Sequence, residues 1–316
     1  MPRPMSRPSA LACPASLKGV LSAREAARAL AAGFARAGVD CTRLPLADGG
    51  EGTREGLCGR AGPRLRVHDA FGRPRLASIG VHGRAIVVEA ADVIPLDPER
   101  LDVIAASSRG LGELIGAISR MDSLLIALGG TATMDAGAGL LEVLDRLPAP
   151  TTVLCDVRTT LYDAPRLFGP QKGATPAQVA ELEARFRSYA ALAPYAELPG
   201  SGAAGGLGAA LASLGAELVP GAARVLDLVA FDPRGHGLVV TGEGRVDATT
   251  AEGKVAAEVA RRCADAGVPC VVFGGVVEQP LPGVETVSLS GDPAAARDDL
   301  VELGLRLGTR LLDAAG

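Results

Sequence analysis

Short apolar runs in this chain end again and again in a glycine-rich loop that carries an acidic residue. The run 41–46 opens into Ala47-Asp-Gly-Gly-Glu-Gly-Thr53, and 123–128 opens into Gly129-Gly-Thr-Ala-Thr-Met-Asp135. The run 152–155 ends at Asp156, and 238–240 leads into Thr241-Gly-Glu-Gly-Arg-Val-Asp247. Helical patterns separate most of these runs. Strands of this kind are satisfied by pairing side by side, and amphipathic helices by lying on the resulting sheet, so the pattern dictates an α/β fold. It also indicates where ligands bind, because open α/β sheets take them beyond the carboxyl ends of their strands.

The rest of the chain follows the same alternation. A short apolar run at 9–13 precedes alanine-rich helical spacing over 22–37, with Ser22 as N-cap and Gly38 as the stop. Runs at 65–69, 76–81 and 85–91 sit at hairpin spacing, with Gly72 and Gly83 near the turns, and predict an antiparallel patch. Further helices are predicted over 111–118, 176–192, 207–214, 254–266 and 293–312, the second opened by Thr175 as cap and Pro176 in the first position. Further strands fall at 269–273 and 286–289. The antiparallel patch in the middle suggests a segment inserted into a domain built from the two chain ends.

Composition removes several classes of function. With 316 residues, 48% of them hydrophobic, the chain can bury a large core and is not disordered. Its 32 basic residues against 36 acidic ones give a net charge of −4, so it offers no overall basic field to nucleic acid or to an anionic membrane. The stretch 198–216 is uncharged and long enough to span a bilayer. Its glycines at 200, 202, 205, 206 and 208 disqualify it as a transmembrane helix and suit a backbone that approaches a ligand or partner. Six scattered cysteines without a C-x-x-C pair, and no signal-like segment, point to the reducing cytoplasm.

Standard motifs fail one by one. A P-loop needs glycine where Ala248 stands and a hydroxyl where Val255 stands. Gly200-Ser-Gly202-Ala-Ala-Gly205 matches a dinucleotide fingerprint in spelling but lacks the strand that must precede it. The three histidines are isolated, so zinc has no ligand set, and neither Ser107-Ser108 nor any thiol has a histidine pattern beside it.

Carboxylates on glycine-rich loops remain, together with three lysines. Of the 32 basic residues only Lys18, Lys172 and Lys254 are lysines, and each adjoins a glycine. A compact ammonium beside a glycine sits where the backbone can come close to an anion. Phosphoryl transfer asks for little more than such a cation, a metal on the phosphates and a carboxylate for the metal or for the acceptor proton. Two readings of Asp48, Asp135 and Asp247 stand side by side: they cap their own loops, as aspartate does in turns, or they serve that chemistry.

Five blocks, in order, resemble the signatures of the bacterial glycerate kinase family of type 1: Ala47 to Thr53, Gly129 to Gly139, Phe168-Gly-Pro-Gln-Lys-Gly-Ala-Thr175, Gly202-Ala-Ala-Gly-Gly-Leu-Gly-Ala209, and Val240 to Asp247 with Gly253-Lys254. The resemblance implies ATP-dependent phosphorylation of D-glycerate to 2-phosphoglycerate with Mg²⁺, and it admits a homodimer. It implies two α/β domains, a flavodoxin-like parallel-sheet domain formed by residues 1–51 and 233–316 and an inserted mixed α/β domain at 52–232. Carried over residue by residue, it makes Asp135 or Asp48 the group that orients or deprotonates the acceptor hydroxyl. Lys18 and Lys172 join them as catalytic cations. Lys254, Gly202, Gly205, Gly206, Gly242, Thr131 and Thr133 are expected at the nucleotide, and Glu243, Asp247 and Asp156 at the metal.

Departures from the family pattern are equally specific. An aspartate usual in the first block is replaced by Ala15, and Met134 stands where an asparagine is usual. Residues are also missing before Phe168 and between Leu144 and Thr151. These changes keep open a diverged member that binds a nucleotide or a small carboxylated or phosphorylated metabolite without efficient turnover.

Overall fold

The structure, a computed structural model, describes residues 8–58, 62–119 and 121–314. Its strands are β1 (Ser9–Ala12), β2 (Asp40–Arg43), β3 (Arg64–His68), β4 (Pro74–Ser78), β5 (Gly80–His82) and β6 (Ala85–Glu89). They continue with β7 (Ser123–Ala127), β8 (Thr151–Cys155), β9 (Glu217–Pro220), β10 (Leu238–Val246), β11 (Cys270–Val277) and β12 (Glu285–Ser288). The fold is α/β, and the chain divides into two compact units, Met1–Ala47 with Leu226–Gly316, and Asp48–Val225.

The first unit holds one parallel sheet in the order β12-β11-β10-β1-β2. Read from β2, that is the doubly wound order of flavodoxin-like folds. Ser22 caps the helix Ala23–Arg36 with a full capping box to Glu25, and the chain leaves the helix through Gly38 at φ +78°. This helix lies on Ala296–Asp313 backbone to backbone. A Cβ on Gly33 would lie 2.1 Å from the Val301 carbonyl, and one on Gly304 would lie 2.3 Å from that of Leu30. Leu30, Phe34, Val240, Phe273, Leu300 and Leu307 fill the core beneath them.

One element differs from its sequence reading. The segment Thr241 to Val246, expected as a loop, continues β10 and pairs with β11 through Thr241–Val272, Gly242–Phe273 and Arg245–Val276. Its glycines mimic a turn in sequence, but Gly242 serves the sheet. A Cβ there would lie 2.2 Å from the Phe273 carbonyl, so the close approach of the neighbouring strand requires glycine.

The second unit is built on β5-β6-β7-β8-β9, in which β6 to β9 are parallel and β5 is an antiparallel edge. β3 and β4 form a separate antiparallel ribbon. The hairpin patch is therefore present, but its last strand also opens the parallel run. β9 carries no sequence signal of its own, because four residues bounded by a charge and a proline show no alternation; the helix Gly221–Leu228 that follows it is an addition to the sequence reading. The core gathers Leu111, Leu114, Ile115, Leu124, Ile126 and Leu207.

The units meet in sequence at 47/48 and 225/226, not at the expected 51/52 and 232/233. The loop after Ala47 belongs with the second unit because its glycines pack there. A Cβ on Gly49 would lie 2.7 Å from Gly221 Cα, and one on Gly50 would lie 3.1 Å from Gly129 Cα. Among the described residues no helix is long and apolar enough to cross a membrane.

Candidate active site

In the second unit the loops that follow β6, β7 and β8 gather with the loop 48–53. Asp48 is half-buried, and its Oδ1 accepts from the Gly50 amide at 3.1 Å. A Cβ on Gly50 would stand 3.2 Å from that oxygen and 3.6 Å from Asp156 Oδ2, and one on Gly129 would stand 2.7 Å from Asp156 Oδ2. Two bare glycines thus let the Asp48 and Asp156 carboxylates share one corner. Gly130 lies beside Glu51 in the same way.

The loop after β7 is held from below. Lys172, buried in the turn Pro170–Lys172, donates its ammonium to the Thr133 carbonyl at 2.7 Å. Burial pulls the pKa of this lysine down to about 8, against the opposing charges of Asp156 and Asp135. Thr133 in turn donates its hydroxyl to the Ala204 carbonyl at 3.3 Å. Thr131 is buried as well, and its Oγ1 has no hydrogen-bond partner. A buried hydroxyl left unpaired costs free energy unless something completes it, and this one sits in the loop that the sequence assigns to a ligand.

Asp135 is fixed more firmly than a proton acceptor needs to be. Its Oδ2 accepts from the Ser108 amide and hydroxyl, both at 2.8 Å, and from the Gly139 amide at 3.2 Å, while Oδ1 accepts from the Gly137 amide at 3.1 Å. Those four bonds occupy the carboxylate and clamp the loop to the start of the helix Arg109–Ala117. Of the two residues proposed for the acceptor proton, Asp48 is the one left open.

Each glycine expected at a nucleotide has protein where a Cβ would stand. Ala204, Gly205 and Gly206 take left-handed conformations at φ +53°, +69° and +93° inside the segment Ala203–Ser213. A Cβ on Gly205 would meet the Thr133 carbonyl at 2.0 Å, one on Gly206 the Ala136 Cα at 2.7 Å, and one on Gly202 the Thr160 carbonyl at 2.2 Å. Backbone approaching backbone and backbone approaching a ligand both call for glycine, and close packing against protein is enough to require it here, as at Gly242.

Two residues escaped the sequence reading. Ser108 is the hydroxyl that ties Asp135 to the Leu140 amide. Glu89, at the end of β6, accepts from the Gly52 amide at 2.8 Å and the Arg54 amide at 3.1 Å. Burial raises its pKa, and those two amides oppose the rise. Neither residue carries a motif, since each partner lies some 30 residues away along the chain.

The first unit holds a second cluster. Lys254 Nζ lies 3.2 Å from Glu243 Oε2 and 4.0 Å from Asp247 Oδ1. Asp247 also caps the short turn Ala248–Glu252, accepting from the Thr249 hydroxyl and amide. The Thr249 hydroxyl, followed by Lys254, keeps the Asp247 carboxyl below its ordinary range. Lys18 is exposed, and its amide nitrogen would lie 3.4 Å from a Cβ on Gly244, next to Glu243. Asp156 belongs to the second unit. Among the described residues no three acidic, thiol or imidazole groups form a metal cluster.

Comparison with known proteins gives relatives over most of the chain. The model of the glycerate kinase family matches residues 10–147 and 145–291. A glycerate kinase of Bacillus subtilis is 34% identical, with 84% of each chain covered. The glycerate 2-kinase of Escherichia coli is 35% identical over 78% of this chain and 80% of its own. Among solved structures, one provisionally assigned as glycerate kinase 2 of Salmonella typhimurium LT2 superposes with a TM-score of 0.79. It is 29% identical and covers 98% of this chain and 100% of its own.

Proposed function

The chain belongs to the glycerate kinase family and is a kinase, and on that premise we propose that it transfers the γ-phosphoryl group of ATP to D-glycerate, giving 2-phosphoglycerate and ADP in the cytoplasm. The observation that carries this reading is Lys172. In a chain whose usual cation is arginine, a lysine stays buried beneath the Thr131–Thr133 loop, although burial works against its charge. A compact ammonium kept there at such a cost suits a site that must balance anions.

Roles for the remaining groups follow from their surroundings. Asp48, with a single hydrogen bond to its carboxylate among the described residues, accepts the proton of the glycerate C2 hydroxyl. The freed oxygen attacks the γ-phosphorus as the bond to the β-phosphate oxygen breaks and ADP leaves. Thr131 Oγ1 donates to the acceptor, which completes the hydroxyl that the protein leaves unpaired. Asp135 and Lys172 hold the loop in place, and Lys18 and Lys254 bind phosphate oxygens.

Magnesium suits Glu243 and Asp247. Both offer hard oxygen donors, and Mg²⁺ in phosphoryl transfer is usually held by one or two carboxylates with phosphates and water completing its shell. Bound there, it would neutralise charge on the phosphates.

The direct test mixes purified protein with Mg²⁺, ATP and D-glycerate, follows ADP against a control without glycerate, and identifies the product by ³¹P NMR. Glycerate-dependent ADP release with 2-phosphoglycerate as product is expected. No release, or 3-phosphoglycerate as the product, would overturn the assignment.

A further inference from the structure

We propose that Glu89 is a positioning residue that holds the loop 48–53, and with it Asp48, in the geometry that phosphoryl transfer requires. The inference rests on the reading of Asp48 given above. Glu89 is the last residue of β6, is only 6% exposed, and reaches across to a loop that precedes it by more than thirty residues. Each carboxylate oxygen takes one amide: Oε1 accepts from Gly52 and Oε2 from Arg54.

This arrangement needs an ionised carboxylate. Two N–H groups point at the side chain, so both of its ends must accept. A glutamine offers one acceptor and turns its NH₂ toward the other amide, and a protonated glutamate does the same with its O–H. Burial works against the charge, as the raised pKa of Glu89 shows, and the nearby Glu51 adds to that cost. Retaining the charge there fixes the loop at the point where its path is tightest. Gly52 sits at φ +86°, and Gly50 presses on Gly129 beside Asp48 and Asp156. The sheet is the rigid element and the loop the compliant one, so Glu89 transmits the position of β6 to Asp48.

Two readouts test the tether on the full chain of Glu89→Gln. Amide hydrogen exchange at residues 52 and 54 reports the loop without any need for turnover, and kcat with KM for D-glycerate reports the chemistry. The expected result is lost protection at both amides with protection elsewhere intact, and a fall in kcat of tenfold or more with KM for ATP within twofold. Unchanged protection at 52 and 54 overturns the tether. Lost protection with unchanged kcat overturns its role in positioning Asp48. A variant that melts without cooperativity is replaced by Glu89→Asp, which keeps the charge but reaches less far and is held to the same criteria. If the wild-type chain leaves glycerate unphosphorylated, the proposed function fails, while the exchange arm still decides whether Glu89 holds the loop.

Discussion

Lys172 and Lys254 are written alike in the sequence, each a rare lysine beside a glycine, and the structure puts them to different use. Lys172 is buried, bonded to a backbone carbonyl, and shifted to about pKa 8. Lys254 is roughly a quarter exposed and lies between Glu243 and Asp247. The glycines differ in the same sense. Gly173 at φ +87° has Leu101 pressed against it, where a Cβ would lie 2.7 Å from Leu101 Cβ, while Gly253 at φ +115° faces open space. A motif fixes the residue type, but surroundings set by distant chain decide whether it works as a structural charge or as a reachable one.

The largest effect expected from this contrast is at Lys172. Lys172→Met should lower kcat/KM by a factor of about 10³, some 4 kcal/mol, because Asp135 and Asp156 lose their counter-charge. The melting temperature should fall only moderately, since the desolvation cost removed with the ammonium offsets part of the lost bond to Thr133 and of the charges left uncompensated on Asp135 and Asp156. A melting temperature that collapses with the activity would make Lys172 structural alone.

Next come the glycines. Gly173→Ala should cost about 3 kcal/mol in denaturant unfolding, from left-handed strain together with overpacking against Leu101. Gly253→Ala, with strain alone, should cost about 1 kcal/mol. Equal costs would erase the distinction between the two sites. The smallest effect belongs to Lys254→Met, about tenfold and chiefly in KM for ATP. It should shrink further at high salt, because the triad is partly exposed.

The first unit was more legible than the second, for a physical reason. Its elements carry local signals: the Ser22 capping box, Gly38, and the valine-rich strands β10 and β11. The candidate site lies in loops, and its residues could be located but their partners could not. Asp48, Asp135 and Asp247 each cap a turn in the structure, as one of the two sequence readings had it. What separates them is the number of further donors that distant segments supply, such as Ser108 to Asp135. Glycine has the same ambiguity, because sequence shows that a backbone comes close at Gly205 and not that the visitor is Thr133.

The pH dependence of kcat/KM for D-glycerate tests the central claim most directly. A lysine lowered from 10.5 to about 8 in the native state is charged below that value and loses its proton above it. Burial disfavours the charge, so this group adds stability as pH rises from about 8 to 10.5, where the unfolded chain still holds the proton. Activity moves the opposite way, because the charge is what the site uses. The account predicts that kcat/KM is level up to about pH 8 and then falls tenfold per unit, with the fall absent from the residual activity of Lys172→Met. A wild-type profile that stays level to pH 9.5, or an alkaline fall that survives in Lys172→Met, would contradict it.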